Sequence, residues 1–215
     1  MAVLLLTIGS VGEGLAEDTL GERRLWTIAP TDLHTILPSD SHVLIDPRAI
    51  ERFLDALDVA PPDWGLVYGR GHHDSARDER LFTLNRERDA KRVGNPVLAQ
   101  RITFVWDGEL SRYDAEIGGF RVVLGPKFTP TRWGVVRFKY EDFSGNLVAK
   151  VSGVLREQLE RRIARGQLVD VTVAMTGRLI PEESVLYDFS HDQEGLGVIM
   201  PIVKVEQLDY LLTDK

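Results

Sequence analysis

The sequence predicts an α+β fold in which a helical, charged N-terminal segment precedes a mostly antiparallel, curved sheet or barrel with one inserted helix. Up to about Pro96, apolar residues recur at helical spacing among many charged ones. From Arg101 onward, short apolar runs alternate with polar residues and end at turn residues, which is typical of strands. Inside this β-rich part, the stretch VLREQLERRIARG has helical spacing and ends at a glycine, so it predicts the inserted helix.

Residues 1–16 have the pattern of a signal peptide. A short apolar run at residues 3–6 is followed by small residues up to Ala16, which matches an export signal that is too short to cross a bilayer. We therefore predict cleavage after Ala16 and a periplasmic or secreted mature chain without a transmembrane segment. Since no Lys or Arg precedes the apolar run, a cytoplasmic protein with an N-terminal strand here is the alternative.

Residues 17–96 make up the predicted helical region. Its clearest helix begins at Pro47, because proline suits the first helical position and Asp46 can accept hydrogen bonds from the exposed amides. Phe53 lies on the apolar face of this helix, which we expect to pack on the core. A second, strongly charged helix is predicted within residues 74–92.

Residues 97–215 make up the predicted β-rich domain. Several strands, one helix and further strands follow each other in an order that resembles an OB-type barrel. A generic α+β domain with a curved antiparallel sheet fits this order nearly as well. Pro201 interrupts the last predicted strand, so an edge position or a bulge is expected there.

The composition and the motifs exclude or disfavour several kinds of chemistry. The chain has no cysteine, which excludes disulfides, thiolate nucleophiles and thiolate zinc sites. Its net charge of −7 provides no global field that would attract nucleic acid. None of the nucleophile-elbow, P-loop or dinucleotide-binding motifs is present in the sequence.

A segment stiffened by two prolines, residues 126–133, is the predicted recognition surface. Aromatic rings alternate there with cations, and rings on an exposed loop can anchor a partner. We expect Trp133, next to a strand, to be buried and Phe128, between the prolines, to be exposed. Ordinary in-and-out alternation of a packed strand is the alternative explanation. The candidate partner-binding residues are Lys127, Phe128, Arg132 and Trp133.

Two polar loops could hold a metal if the fold brings them together. Imidazole and carboxylate groups bind divalent metals, but the usual helical spacing of three or four between ligands is absent. Solvated turns, with the aspartates acting as caps, are the simpler explanation of both loops. The candidate metal ligands are His72, His73 and Asp74 in the first loop and Asp188, His191 and Asp192 in the second.

Taken together, these features favour an exported, non-enzymatic binding protein without a cofactor, whose partner is a protein or an envelope component of unknown identity. A metal-dependent hydrolase that uses the two histidine loops is one alternative, and it would require a divalent metal. An OB-type binder of nucleic acid or saccharide is another alternative, although the acidic charge disfavours nucleic acid. Nothing in the sequence predicts the oligomeric state.

Overall fold

Eleven strands and five α-helices make up the described part of the computed structural model, which covers residues 20–28, 33–141, 147–151, 153–180, 183, 185–190 and 195–213. In chain order the strands are β1 (Glu22–Ile28), β2 (His42–Val43), β3 (Arg101–Asp114), β4 (Gly119–Gly125), β5 (Thr129–Thr131), β6 (Gly134–Val136), β7 (Lys139–Tyr140), β8 (Val148–Lys150), β9 (Asp170–Leu179), β10 (Val185–Phe189) and β11 (Gly197–Thr213). The helices are α1 (Leu33–Ile36), α2 (Pro47–Leu57), α3 (Trp64–Tyr68), α4 (Arg77–Arg92) and α5 (Gly153–Ala164).

Six of the strands form a closed barrel. They follow one another in the order β1-β8-β4-β3-β9-β11, and β11 pairs with β1 to close the ring. The pairs β4–β8, β3–β4, β3–β9 and β9–β11 are antiparallel, whereas β1 is parallel to both of its neighbours. The predicted barrel is therefore confirmed, although an OB fold has five strands where this barrel has six.

The prediction of a helical N-terminal segment needs a correction. The first described element is strand β1, which lies between β8 and β11 and supplies the last wall of the barrel. Its sequence, ERRLWTI, contains three charged residues in succession, so local periodicity gave no strand signal. The first described helix begins at Leu33, and the predicted signal peptide and its cleavage site at Ala16 lie outside the described residues.

Helix α2 forms as the sequence predicts. Asp46 caps it by accepting a hydrogen bond from the backbone N–H of Ala49 at 3.0 Å, and Pro47 is its first residue. Phe53 and Leu54 are buried in the main core. Helix α4 lies within the predicted residues 74–92, and Asp74 accepts hydrogen bonds from backbone amides in the turn before it.

Both faces of the barrel wall are covered at β3 and β9. The inner face carries Val171, Val173 and Met175, which are all buried. On the outer face, Thr176 is also buried and shares a 2.6 Å hydrogen bond with Thr103. The segment around α1 and β2 packs over this face, so its polar groups pair with each other rather than with water.

Strand β11 is the longest strand and belongs to two sheets. Its C-terminal part lies in the barrel, and its N-terminal part joins β10, β6 and β5 in an accessory sheet with the order β10-β11-β6-β5. Pro201 does not interrupt the strand, because it pairs with Val185 at the end of β10, where β11 changes its neighbours. The register shift lies instead between Val205 and Gln207.

Helices α2, α3 and α4 lie against the buried face of the accessory sheet. Trp64 of α3 lies flat on Gly197 of β11, and its indole N–H donates to the carbonyl of Trp133 at 2.6 Å. Asn85 of α4 pairs with the backbone of Tyr187 through its side-chain oxygen and nitrogen, each at 2.8 Å. The helices thus leave only the opposite face of this sheet to solvent.

Candidate ligand-binding groove

A groove of about 550 Å³ runs across the outward face of the accessory sheet. The β5–β6 hairpin forms one wall, and the other is lined by Phe189 and Ser190 at the end of β10 and by Leu196 just before β11. Apolar side chains dominate the surface between these walls. The lining residues are Phe128, Pro130, Val135, Arg137, Asp188, Phe189, Ser190, Leu196, Val198 and Met200.

The strand register explains why these residues meet. Residues that lie opposite each other on neighbouring strands point to the same face, so one row crosses all four strands and a second row lies two residues further on. The first row is Pro130, Val135, Val198 and Asp188. When the register is continued, the second row is Phe128, Arg137, Met200 and Leu186.

The accessory sheet is apolar on both faces. On the inner face, Val136, Tyr187 and Ile199 are buried under the helices. On the outer face, Phe128 is 46% exposed and Leu186 is 42% exposed. A sheet with one solvated face normally alternates apolar and polar residues, so this outer face departs from what solvent exposure alone would favour.

Arg137 lies in the groove, and no acidic side chain among the described residues forms an ion pair with it. Its Nε atom is buried and has no hydrogen-bond partner among the described residues. The guanidinium carbon lies 5.6 Å from the ring centre of Phe128 and 5.8 Å from that of Trp106. Because the chain between β6 and β7 pairs with β11 through the N–H of Arg137 at 3.0 Å, the backbone holds this side chain at the edge of the groove.

Asp188 lies at the opposite corner of the groove. Asp188 pairs with Val198 and so belongs to the first row, whereas Arg137 belongs to the second. The two residues also lie on opposite sides of β11, because β10 and β6 flank that strand. Two strand spacings separate the backbones by roughly 10 Å. The Asp188 carboxylate accepts a hydrogen bond from the N–H of Phe189 at 2.7 Å, and no ion pair joins it to Arg137 in the described chain.

The predicted recognition segment is divided between two environments. Phe128 lines the groove, and the expected difference in burial is confirmed because Trp133 is 0% exposed. The Trp133 indole donates to Asp55 of α2 at 3.0 Å, and the Arg132 guanidinium forms an ion pair with the same carboxylate. Lys127 precedes Phe128 but does not line the groove. Of the four predicted partner-binding residues, the structure therefore places only Phe128 in the groove.

The first histidine loop is held by contacts within the protein. His72 and His73 lie in a 3₁₀ turn, Gly71–His73. The Arg77 guanidinium can only donate, so at 3.0 Å the Nδ1 atom of His72 accepts, and a neutral ring then donates from Nε2 to the Tyr68 hydroxyl at 3.2 Å. Both ring nitrogens of His72 are thereby engaged.

Asp74 is also engaged. Its Oδ2 accepts from the Arg80 guanidinium at 2.8 Å, and backbone amides on either side donate to the same carboxylate. The hydrogen bond from Arg80 is the main cause that lowers the pKa of Asp74 to about 2. This carboxylate therefore fixes the turn before α4.

Of the second histidine loop, the structure describes Ser190, Gly195 and Leu196. Gly195 lines a shallow cavity together with His72 and His73, while His191 and Asp192 lie outside the described residues. Asp188, the remaining predicted ligand of that loop, lines the apolar groove instead. Within the described segments, no three His, Asp or Glu side chains are grouped closely enough to hold a metal ion.

A buried charge cluster joins α2, α4 and β10 beneath the accessory sheet. Asp58 accepts from Arg92 at 3.1 and 2.8 Å and from the hydroxyl of Tyr187. Burial opposes ionisation of Asp58, but the hydrogen bonds from Arg92 and Tyr187 outweigh it, so the pKa of Asp58 is lowered. Burial is also the main cause that raises the pKa of Tyr187. Since Asp58, Arg92 and Tyr187 are paired with one another and buried, this cluster is not available to a ligand.

Sequence reasoning missed most of the groove. Met200 and Val198 lie in the run LGVIMPIVKV, whose nearly continuous apolar character indicates a strand apolar on both faces. That signal could have identified the groove floor. Arg137, in contrast, stands in an alternating segment of the sequence, and only the fold shows that its buried Nε atom has no hydrogen-bond partner among the residues that the structure describes.

The fold and the groove together define a class: a mostly β protein with a closed six-stranded barrel and an accessory sheet that carries a ligand-sized groove. No known protein family matches the chain, and no curated protein or solved structure matches it either. Within the described part of the chain, none of the helices combines the length and the hydrophobicity that a bilayer crossing requires. The functional argument therefore depends on the groove, since fold alone does not define function.

Proposed function

We propose that this is a non-enzymatic binding protein whose groove on the accessory sheet holds a small ligand with an apolar body. The observation that supports the proposal is the apolar outer face of β10-β11-β6-β5, which the rest of the described chain leaves open. Exposed apolar surface in contact with water is unfavourable, and contiguous patches of it mark binding sites.

The shape of the groove favours a small molecule over a flat protein interface. Its volume of about 550 Å³ lies within the range of roughly 300–1,000 Å³ that is usual for small-molecule sites. Such sites combine a mainly apolar lining with a few polar groups that fix orientation. Here the polar groups are Arg137, Asp188 and Ser190.

The neutral fluorescent probe N-phenyl-1-naphthylamine tests the proposal. We expect saturable binding to the wild-type protein and about a fivefold to tenfold weaker affinity for Phe128→Ala, because a half-exposed ring contributes roughly half of the 1.5–3 kcal/mol of a fully buried one. Phe82→Ala is the matched control, since Phe82 is 65% exposed on α4 and does not line the groove. An unchanged affinity in Phe128→Ala, with the probe still bound, would place the site elsewhere.

The proposal includes export, because residues 1–16 have the sequence pattern of a signal peptide. An acidic protein without cysteine is compatible with an extracytoplasmic compartment, where free thiols are prone to oxidation. The alternative of a metal-dependent hydrolase has no supporting cluster among the residues that the structure describes. The alternative of an OB-type binder is supported by the barrel alone, and a barrel hosts many functions.

A further inference from the structure

We infer that the ligand of the groove carries one oxyanion, a carboxylate in the first instance, which the guanidinium of Arg137 binds. This inference rests on the proposed function, since it names the chemistry of the ligand in that same groove. The observation that carries it is a buried Nε–H without an acceptor, next to an open apolar surface.

A guanidinium in an apolar setting is normally paired. Removing a charge from water is costly unless a partner and hydrogen bonds compensate for it. Two further arginines of the described chain have an Nε without a hydrogen-bond partner, but both have acidic neighbours. Arg101 forms ion pairs with Asp40 and Glu206, and Arg23 interacts electrostatically with Asp209.

The aromatic neighbours of Arg137 stabilise its charge only in part. The rings of Phe128 and Trp106 lie within cation–π distance, at 5.6 and 5.8 Å. An aromatic ring attracts the cation but offers no oxygen lone pair to the N–H donors. The side chain is therefore held in place, while its Nε–H donor has no acceptor among the described residues.

An oxyanion matches this capacity. The guanidinium presents parallel N–H donors that bind a carboxylate through two hydrogen bonds, and a low-dielectric surrounding strengthens such bonds. If the head group of the ligand binds Arg137, the apolar body of the ligand contacts Met200 and Val198, which form the groove floor.

The charge balance of the groove favours a single negative charge. Arg137 is the one cationic side chain among the lining residues of the described groove. Asp188 occupies the opposite corner, two strand spacings or roughly 10 Å away across the sheet, so a second anionic group there would be repelled. The ligand class is thus a monoanion with an apolar chain or ring.

Decanoate and decan-1-ol test the inference, because they share a chain and differ in the charged head group. Each compound displaces N-phenyl-1-naphthylamine from the wild-type protein and from Arg137→Gln. We expect decanoate affinity to fall about tenfold or more in Arg137→Gln, and decan-1-ol affinity to change less than about twofold, as expected when one charge-assisted bidentate pair is lost. Arg112→Gln, an exposed arginine outside the groove, is the matched control and should change neither affinity.

Two further arms refine the result. Arg137→Lys keeps the positive charge but loses the two parallel N–H donors of the guanidinium, so decanoate affinity should fall less than in Arg137→Gln. The lysine variant still tests the inference if the glutamine variant does not fold. Decyl sulfate shows whether the site accepts another monoanionic oxyanion. Binding of decyl sulfate that also depends on Arg137 supports the inference and broadens the head group beyond carboxylate.

The failures of the two proposals are distinguishable. If the probe binds and Phe128→Ala weakens it, but the two Arg137 variants bind decanoate as the wild type does, the groove is a binding site and the anion inference is wrong. Equal losses of affinity for decanoate and decan-1-ol would also overturn the anion inference, since Arg137 would then affect the shape of the groove and not bind the negative charge. If the probe does not bind the wild-type protein, the proposed function itself fails.

Discussion

Replacing Asp58 by asparagine should destabilise the protein strongly, because this carboxylate neutralises two arginines in the interior. The Asp58 side chain is 5% exposed and the Arg92 side chain 1% exposed. Arg92 donates to both carboxylate oxygens, and Arg88 approaches Oδ2 at 3.3 Å. The variant keeps the size of the side chain but leaves this positive charge with too little compensation.

The size of the stability loss depends on the partners that Arg92 keeps in the Asp58→Asn variant. Breaking a buried ion pair by removing one partner costs about 3–5 kcal/mol. Arg92 would retain Asp89, at 2.8 Å, and the carbonyl of Val185, at 3.1 Å. We therefore expect the lower end of that range, about 3 kcal/mol in the free energy of unfolding.

Urea unfolding followed by tryptophan fluorescence measures this loss. With a slope of about 3 kcal/mol per molar, a loss of about 3 kcal/mol lowers the midpoint by roughly 1 M. Asp89→Asn is the matched control, because Asp89 bonds the same Arg92 but is 50% exposed, so its removal should cost at most about 1 kcal/mol. Equal losses in the two variants would refute the argument from burial.

The pH dependence gives a second measurement on the same pair. Burial opposes ionisation of Asp58, but the hydrogen bonds from Arg92 and Tyr187 lower its pKa below the ordinary value of 3.8. A group whose pKa is lower in the folded state contributes stability above its unfolded pKa and loses it as the pH falls through the folded pKa. The stability difference between wild type and Asp58→Asn should therefore be full at pH 7 and shrink below about pH 4.

Two further predictions concern the accessory sheet and the N-terminus. Gly197→Ala should destabilise the protein by about 1–3 kcal/mol, because the new Cβ would lie 2.0 Å from the ring of Trp64. Gly65→Ala is the control and should not destabilise the protein, because the nearest neighbour of its new Cβ would be 3.4 Å away. Equal melting temperatures of the two variants would contradict this prediction. Sequencing of the mature N-terminus should give a start at Glu17, and an intact Met1 on a cytoplasmic protein would contradict export.

Local patterns predicted the elements whose stability is local. Helix α2 has its cap, its proline and its apolar face within the same short stretch, and the inserted helix α5 ends next to the predicted glycine, Gly166. Strand β1 had no comparable signal. It is a strand because it pairs with β8 and β11, more than a hundred residues away, and such pairing leaves no period in its own sequence.

The site was harder to predict than the fold for the same reason. Phe128 and Met200 are 72 positions apart, and only the register of β5, β6 and β11 brings them into one row. Arg137 stands in an alternating segment, where a charged residue normally points to solvent. Its special feature is a buried Nε atom without a hydrogen-bond partner in the described part of the chain, which is a property of its surroundings in space.

The groove is built on rigid elements, which bears on how it would bind. Its floor is the N-terminal part of β11, the same strand whose C-terminal part closes the barrel against β1 and β9. Its inner face is fixed by Trp64 on Gly197 and by the buried charge cluster around Asp58. A ligand would therefore meet a site that is already formed, so little ordering entropy would be lost on binding. It follows that variants on the outer face, such as Phe128→Ala, should change affinity without changing the fold, whereas variants beneath it should change both.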